Sequence, residues 1–187
     1  MPVQVDHEAR KRLVISATIE LIAERGLEDT SIRTVSARTG YSTSIVTHYF
    51  RDKTDLLKST YLAVADGRRT RLGTCIEIDK ALPAAALSLL PLDDERQREW
   101  KVYCAFLASG IGHGELASIQ AEWSDKTIGL FASLLSGTKH PSPAQARSAA
   151  SRLVSFLTGL SVMHLINPTG FSREKISALT LEELASL

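Results

Sequence analysis

The sequence predicts an all-α protein of about nine helices, and three observations support this prediction. Apolar residues recur at spacings of three and four along almost the whole chain, which is the pattern of helices packed through one face. Runs of alternating β-branched residues, which indicate strands, are absent from the sequence. With 44% hydrophobic and 23% charged residues among 187, the chain has a globular composition and enough apolar residues for a core.

Three short helices are predicted at the N-terminal end of the chain. Serine and threonine hydroxyls cap helix N-termini, and glycine favours the left-handed conformation that follows a helix. By these signals the helices cover 10–25, 32–38 and 43–49, and Ser31 and Ser42 are the N-caps of the second and the third. The third helix is only about two turns long, and most of its side chains are polar.

Longer helices are predicted for the rest of the chain. Asp52, with another acidic residue three positions later, begins a long helix that runs to about residue 80. The next helix covers about 93–110 and ends at a cluster of glycines. Two helices with a kink near Ala121 are expected over 115–135.

The strongest helix start in the chain lies at residues 142–145. Their sequence, Ser-Pro-Ala-Gln, combines an N-cap, a proline in the first position and a glutamine in the third. It begins a helix over 144–166, and Ser172 begins the last helix, which runs to residue 187. Small and large apolar residues alternate in the first of these helices, a pattern that suits close packing against other helices.

Composition excludes several classes of protein. Cys75 and Cys104 lie among apolar helical neighbours and form no CxxC motif, so we expect buried, reduced thiols rather than disulfides or a zinc site. Residues 1–12 lack the apolar core of a signal peptide. The longest apolar stretch, 81–92, is interrupted by prolines and is shorter than the roughly 20 residues of a membrane span. A cytoplasmic protein without membrane association is therefore expected.

The second and third predicted helices are joined by only four residues, 39–42, in the manner of a helix-turn-helix. Helices this short are not stable alone, so tertiary packing must hold the pair. In a helix-turn-helix, the second helix lies in the major groove of DNA, where hydroxyl groups exchange hydrogen bonds with base edges. The third predicted helix has such a polar face, formed by Thr43, Ser44, Thr47, His48 and Tyr49.

Positive charge surrounds this polar face. Residues 31–58 contain five Lys and Arg and two Asp, a net charge of 5 − 2 = +3, although the whole chain has a net charge of only +1. Such a segment supplies contacts to DNA phosphates, and these contacts weaken as salt rises. An ordinary helical hairpin with a solvated face has the same composition, so these residues alone leave both interpretations open.

About fifty contiguous residues resemble a known family in their order and spacing. The matching positions are Ile15, Ala17, Ile22, Gly26, Thr30, Ile32, Val35, Ser36, Gly40, Tyr41, Ser42, Val46, His48, Tyr49, Phe50, Lys53, Leu56 and Leu57. This pattern resembles the DNA-binding domain of the TetR family of bacterial transcriptional repressors. The resemblance implies a three-helix bundle with a helix-turn-helix over 1–52, followed by a larger helical domain over 53–187 that binds a ligand and dimerises.

The resemblance also implies a function. It predicts a ligand-responsive transcriptional repressor that binds a palindromic operator in double-stranded DNA as a homodimer and is released by a small molecule. The dimer is expected to form through the helices over 144–166 and 172–187. No cofactor, metal or enzymatic activity is expected, since the five histidines lack metal-ligand spacing and no GxSxG motif occurs. The alternative from another class is an all-α small-molecule-binding or adaptor module without specific DNA binding.

Carried over by position, the resemblance assigns DNA contacts to a set of polar residues. They are Ser31, Arg33, Thr43, Ser44, Thr47, His48, Tyr49 and Lys53. Thr43, Ser44, Thr47 and His48 are expected at bases or phosphates. Tyr49 and Lys53 are expected at phosphates, and Ser31 and Arg33 at the flanking backbone. The chain departs from the family pattern at Thr47, commonly a tyrosine, and at Ser44, commonly a glycine. A phosphate contact made by a tyrosine at 47 is therefore lost or replaced in this chain.

The C-terminal region resembles the choline-responsive, BetI-type branch of the family. The likeness rests on residues 100–109 and on the Asn-Pro turn at 167–168. It implies a small quaternary ammonium or aldehyde as the signal, held between aromatic side chains by cation–π attraction. The candidate walls are Trp100, Tyr103, Phe106 and Trp123. The same helical spacing results when aromatic residues only pack in a core, so this alternative stays open.

Overall fold

The computed structural model describes residues 7–76, 81–110, 114–136 and 142–187. Within these ranges the chain forms nine α-helices, which confirms the all-α prediction. They are α1 (His7–Arg25), α2 (Ile32–Thr39), α3 (Thr43–Tyr49), α4 (Lys53–Ile76), α5 (Ala81–Leu89), α6 (Asp94–Gly110), α7 (Gly114–Leu135), α8 (Pro143–Ile166) and α9 (Arg173–Ser186).

The short N-terminal helices are fixed at their ends by local hydrogen bonds. Ser31 Oγ accepts from the Thr34 backbone N–H at 3.1 Å, and Thr34 Oγ1 accepts from the Ser31 N–H at 2.8 Å, which is a reciprocal capping box. Ser42 Oγ accepts from the Ile45 N–H at 3.3 Å in the same way. Gly40 has a φ of 72°, a left-handed conformation that ends α2 and turns the chain into α3.

Helices α1 to α3 and the first turn of α4 share one hydrophobic core. Its buried members are Val14, Leu21, Val35, Val46, Phe50 and Leu56. Val46 and Phe50 hold the polar helix α3 against this core, because both are almost completely inaccessible to solvent. Leu56 belongs to α4, so the core extends past residue 52, where the sequence places the end of the first domain.

A second cluster of buried residues joins α1, α4 and α6. Its members are Ile22, Tyr61, Val64, Ala65, Val102 and Phe106. The ring of Tyr61 meets the ring of Phe106 edge to face, with 5.1 Å between their centroids. The N-terminal helices are therefore attached to the rest of the chain through two helices, α1 and α4.

The largest core lies between the C-terminal end of α4 and helices α5, α7, α8 and α9. Small residues of α8 at 146, 149 and 150 are buried there and allow its neighbours to approach closely. Larger side chains fill the remaining space, and they include Leu89, Phe131, Leu135, Leu153, Leu157 and Ile176. Burial of each such side chain contributes roughly 1.5–3 kcal/mol relative to its exposure.

Two elements differ from the sequence prediction. Helix α5 is not predicted, because Pro83 reads as a helix breaker; it is the third residue of the helix, where a backbone N–H has no intrahelical acceptor to lose. Helix α7 is one continuous helix rather than a kinked pair. Ala121 is exposed, and its polar neighbours face solvent or a cavity, which weakens the apolar pattern without ending the helix.

Several predicted boundaries also change. Helix α1 begins at His7 rather than at residue 10. Helix α4 is described as far as Ile76, so its predicted extension to about residue 80 lies outside the described residues, as does the glycine-rich turn at 111–113. Helices α8 and α9 begin at their predicted caps, Ser142 and Ser172.

Among the described helices, α8 is the one whose length and composition suffice to cross a membrane. Its 24 residues include a window with a mean hydropathy of 1.4. This is weak evidence, since core helices of soluble proteins have the same properties, and Leu153 and Leu157 of α8 are buried in the largest core. Serine and arginine residues interrupt the apolar residues of α8, so this helix contains no long unbroken apolar run.

Candidate nucleic-acid interface and ligand cavity

The exposed face of α3 brings together four of the residues predicted to contact DNA. Thr43, Ser44, Thr47 and His48 are all exposed, while Val46 anchors the opposite side of the helix in the core. Thr43 and Thr47 are four residues apart, as are Ser44 and His48, so the two pairs form adjacent rows on the helix surface. The arrangement leaves a short polar helix standing clear of the protein along one side.

Two hydroxyl groups on this face, those of Ser44 and Thr47, already have local partners. Thr47 Oγ1 donates to the Thr43 carbonyl oxygen at 3.0 Å, and Ser44 Oγ lies 2.8 Å from Ser42 Oγ. A threonine hydroxyl that donates to its own helix keeps acceptor lone pairs free, and its methyl group remains available for apolar contact. The row of Thr43 and Thr47 therefore offers both acceptors and methyl groups to a partner.

Tyr49 lies in an aromatic cluster at the C-terminal end of α3. Its hydroxyl is 3.0 Å from Nδ1 of His7, the first residue of α1. The rings of His48 and Tyr49 meet edge to face at 5.2 Å between centroids, and His7 lies about 6 Å from both. These contacts hold the half-buried Tyr49 at the edge of the α3 face and bring α1 to the same surface.

The flanking residues predicted to bind phosphate lie at helix N-termini. Lys53 is the first residue of α4, and its Nζ donates to the Glu28 carbonyl oxygen at 3.1 Å, which leaves two ammonium hydrogens free. Arg33 is exposed on α2, and neither cation forms an ion pair with a described residue. Ser31 uses its hydroxyl to cap α2, so it remains beside the backbone N–H groups of that helix end.

Two other arginines near α3 are neutralised by acidic partners. Arg38 Nη2 donates to Glu24 at 2.6 Å, and this hydrogen bond lowers the pKa of the Glu24 carboxyl below its usual 4.5. Arg51 binds Asp55, whose pKa is lowered first by the backbone N–H of Arg51 and then by its side chain. The net charge read from the sequence therefore overstates the positive charge available to a partner.

A cavity of about 240 Å³ opens between α4, α6, α7 and α8. Three of the four predicted aromatic walls, Trp100, Tyr103 and Trp123, line it. Trp100 is 2% exposed, and its Nε1 donates to the Leu89 carbonyl oxygen at 2.6 Å, which fixes the plane of the ring. Phe106 does not line the cavity; it is fully buried in the cluster of α1, α4 and α6.

A cation occupies the aromatic faces inside this cavity. The Arg68 guanidinium lies 4.6 Å from the Trp100 ring centroid and 5.2 Å from that of Tyr103. Burial lowers the pKa of Arg68 from its usual value, although a guanidinium remains charged at neutral pH. The nearby carboxylate of Glu99 is held by Arg71 through bonds of 2.5 and 3.2 Å.

Phenol groups complete the polar part of the cavity. Burial raises the pKa of Tyr61 to about 12, with a smaller contribution from Tyr103. Burial likewise raises the pKa of Tyr103. Both tyrosines are therefore neutral at physiological pH and present hydroxyl groups rather than phenolates.

The sequence prediction missed the contribution of α4 to this cavity. Tyr61, Val64, Arg68 and Leu72 all line it and follow one another at helical spacing. The detectable signal is an arginine on an otherwise apolar helix face. Gln120 of α7 is a second missed lining residue, and its Nε2 is buried without a hydrogen-bond partner among the described residues.

Comparison with known proteins places both regions in one family. Residues 14–60 match the bacterial regulatory proteins of the tetR family, and residues 79–187 match the BetI-type transcriptional repressor C-terminal domain. The chain is 27% identical to the HTH-type transcriptional regulator PksA of Bacillus subtilis, covering 100% of this chain and 94% of that protein. It is 30% identical to BetI of Escherichia coli (strain UTI89 / UPEC), covering 91% and 90%.

Solved structures agree with this assignment. A transcriptional regulator from Rhodococcus sp. Rha1 superposes with a TM-score of 0.85 at 27% identity and covers 94% of each chain. A putative regulator from Saccharomonospora viridis in complex with choline has a TM-score of 0.86, 18% identity and coverage of 95% and 96%, a likeness that concerns the fold alone. The chain therefore belongs to the TetR family of bacterial regulatory proteins and is a transcriptional regulator with a BetI-type C-terminal domain.

Proposed function

We propose that this regulator is a cytoplasmic repressor that binds a palindromic operator as a homodimer and leaves it when a small molecule occupies the cavity between α4, α6, α7 and α8. Regulators of this family bind DNA operators and small-molecule effectors. The observation that supports the proposal most strongly is the polar face of α3, held clear of the protein by buried Val46 and Phe50. Residues 1–52 then bind DNA, and residues 53–187 bind the effector and dimerise.

Within the interface, the α3 face reads bases and its neighbours bind phosphates. Thr43 and Thr47 offer methyl groups and acceptor oxygens to base edges, and Ser44 and His48 form the adjacent row. Tyr49 and Lys53 contact phosphates at one flank, and Ser31 and Arg33 contact the backbone at the other. Lys53 suits this role because it lies at a helix N-terminus, where backbone N–H groups also favour an anion.

The dimer forms through α8 and α9. Large apolar side chains are exposed on these two helices, namely Met163 and Ile166 on α8 and Leu181 on α9. Exposed apolar residues on adjacent helices favour burial against a second copy, and two helices from each subunit produce a four-helix interface with twofold symmetry. Ile166 is 72% exposed in the single chain, so its substitution is a direct test of this interface.

Effector binding acts on DNA affinity through α4. Leu56, near the start of α4, belongs to the core that holds α3, while Arg68 and Leu72, further along the helix, line the cavity. A ligand that tilts α4 changes the separation of the two recognition helices in the dimer, so that both no longer fit successive major grooves. The choline complex of the Saccharomonospora viridis regulator and the SmeT-Triclosan complex, both of this fold, support a small-molecule effector.

The decisive experiment measures binding of the full chain to duplex DNA from upstream of its own gene and to a shuffled duplex of equal composition. We expect tighter binding to the upstream duplex and a loss of this preference in Thr43→Ala. Thr70→Ala removes the same hydroxyl from an exposed position on α4 and should change nothing. Equal affinity for both duplexes, or a monomer in light scattering, contradicts the proposal, and equal affinity favours a ligand-binding or adaptor module.

A further inference from the structure

We propose that the cavity takes a small carboxylate with an apolar body, and that Arg68 and Gln120 bind its charged end. The inference concerns the cavity itself, and it rests on the proposed function only where the carboxylate is called an effector. It goes beyond a general small-molecule site, because it assigns the sign of the charge. The argument depends on charge balance, on the aromatic faces and on an unpaired amide.

The charge balance of the cavity is positive. Among the described residues that line it, three are cationic and none is acidic. At its rim, Arg69 pairs with Asp66 at 3.5 Å and Lys126 pairs with Glu122 at 2.7 Å. Arg68 is the exception, because it forms no ion pair with a described residue.

The acidic residue that attracts the Arg68 charge, Glu99, already forms an ion pair with another arginine. Glu99 attracts the Arg68 charge, yet both of its oxygens accept hydrogen bonds from Arg71. Besides this attraction, the half-buried Arg68 has the rings of Trp100 and Tyr103 to offset the partial loss of water around its charge. A carboxylate beside Arg68 supplies the missing counter-charge and accepts charge-assisted hydrogen bonds in a site of low dielectric constant.

The aromatic walls do not form a free cation cage. The guanidinium of Arg68 covers the faces of Trp100 and Tyr103, and the hydrogen bond from Trp100 to the Leu89 carbonyl keeps that ring in place. A quaternary ammonium must displace Arg68 to reach these faces, and it then lies beside a like charge in a buried site. The aromatic residues that suggest a cation in the sequence therefore oppose one in the structure.

Gln120 supplies an independent indication of an acceptor on the ligand. Gln120 lines the cavity, and its Nε2 is buried and has no hydrogen-bond partner among the described residues. A buried donor without a partner costs free energy, and an acceptor oxygen of a bound molecule removes this cost. Tyr61 of α4 and Tyr103 of α6 also line the cavity, and both carry neutral hydroxyl groups.

The size and the remaining lining define the body of the molecule. An apolar cavity of about 150 Å³ accommodates benzene, and this cavity has about 240 Å³. A single ring with a short acid chain therefore fits. Apolar side chains from α4, α6, α7 and α8 surround this space together with Leu89 of α5; they include Leu72, Leu130 and Leu157.

The test uses three probes with one apolar body and three charges: 3-phenylpropionate, 3-phenylpropionamide and 3-phenylpropylammonium, with choline as a fourth. Their binding to the full chain is measured by calorimetry without DNA. We expect the carboxylate to bind about 10- to 100-fold more tightly than the amide, which is the usual value of hydrogen bonds to a charged group, and both cations to bind most weakly.

Two variants assign the charge preference to specific side chains. Arg68→Met should reduce carboxylate affinity about 10- to 100-fold and leave amide affinity within twofold. Arg98→Met removes the same charge from an exposed position on α6 and should change neither affinity. Gln120→Glu places a carboxylate in the cavity, so it should weaken 3-phenylpropionate and strengthen 3-phenylpropylammonium even if Arg68→Met does not fold.

Three results overturn the inference: tighter binding of either cation than of the carboxylate, an unchanged preference in both cavity variants, or no binding of the carboxylate at millimolar concentration. A separate titration with operator DNA distinguishes the two proposals. If 3-phenylpropionate binds without weakening DNA affinity, the charge assignment stands and its role as effector fails. If choline binds and releases the DNA while the carboxylate does not bind, the charge assignment fails and the repressor function stands.

Discussion

Replacing Arg71 with methionine removes the cation that forms the ion pair with a buried carboxylate between α4 and α6. Arg71 donates to both oxygens of Glu99, at 3.2 and 2.5 Å, and its Nε donates to the Ser88 carbonyl oxygen of α5 at 3.3 Å. Glu99 is only 8% exposed. The substitution therefore leaves a carboxylate with little access to water and removes the hydrogen bonds by which Arg71 of α4 joins α5 and α6.

The expected loss of stability follows from the burial of the two side chains of this ion pair. Breaking a buried ion pair costs about 3 kcal/mol or more, which lowers the melting temperature by about 6–12 °C for a chain of this size. Glu99→Gln should cost less, about 1–2 kcal/mol, because the remaining guanidinium is 27% exposed and keeps its bond to Ser88. Arg147→Met is the matched control: its pair with Asp125 is 52% and 73% exposed, so we expect less than about 1 kcal/mol.

The assay is thermal unfolding followed by circular dichroism, at one protein concentration because association shifts the melting temperature. The double variant Arg71→Met, Glu99→Leu removes both charges and should recover most of the stability lost in Arg71→Met. The reasoning is refuted if Arg71→Met costs no more than Arg147→Met. It is also refuted if the double variant is as unstable as the sum of the single ones.

Three further predictions concern the DNA interface and the N-terminal helices. Thr43→Ala should weaken operator binding by roughly 1–3 kcal/mol and barely affect binding to random DNA. Lys53→Ala should weaken binding to both and reduce the dependence of log affinity on log salt concentration by about one per subunit. Titrations at several salt concentrations distinguish the two variants. Gly40→Ala should lower the free energy of unfolding in urea by about 1 kcal/mol, because the φ of Gly40 is 72°. Gly67→Ala in α4 should raise it, because alanine favours helices and an added Cβ would have no neighbour within 4 Å. Because the pKa of Glu24 is lowered in the folded chain, its ionised form stabilises the fold fully above the usual pKa of 4.5, and this effect is lost as pH falls through the lowered value. Glu24→Gln should flatten this part of a curve of unfolding free energy against pH.

Local signals in the sequence were sufficient to predict most helix boundaries. Ser31, Ser42, Ser142 and Ser172 each cap a helix as predicted, and Gly40 adopts the left-handed conformation that its position requires. These features depend on contacts between residues three or four positions apart, so the local sequence contains all the information they need. The placement of the four polar residues on α3 follows from the same local geometry.

The lining of the cavity could not be predicted in full from the sequence, because it depends on contacts between residues that are far apart along the chain. Arg71 and Glu99 are 28 positions apart, and the spacing of charges along the chain does not indicate that they pair. In the sequence, Arg68 has the position of a solvated residue on a long helix. In the fold, Trp100 and Tyr103 of α6 lie against its guanidinium. Trp100, Tyr103 and Trp123 line the cavity and Phe106 does not, and their role in ligand binding stays a prediction. Because Arg68 covers two of these rings, the charge that we propose for the ligand is opposite to the one that the sequence suggests.

The attachment of the DNA-binding helices constrains how a signal can reach them. Along α4, Leu56 in the N-terminal core and Arg68 in the cavity are separated by twelve residues, or about 18 Å of helix. Helix α1 forms a second attachment, because Ile22 packs in one cluster with Val102 and Phe106 of α6. A movement of α4 alone would therefore displace Tyr61, Val64 and Ala65 of α4 relative to the α1 and α6 members of this cluster, and packed interiors resist continuous deformation. The proposed release of DNA thus requires one of two movements. Either α1 and α4 move together as one body against α6, or the cluster adopts a second packing. Phe106 of α6 belongs to this cluster, so the surroundings of its ring change differently in the two cases.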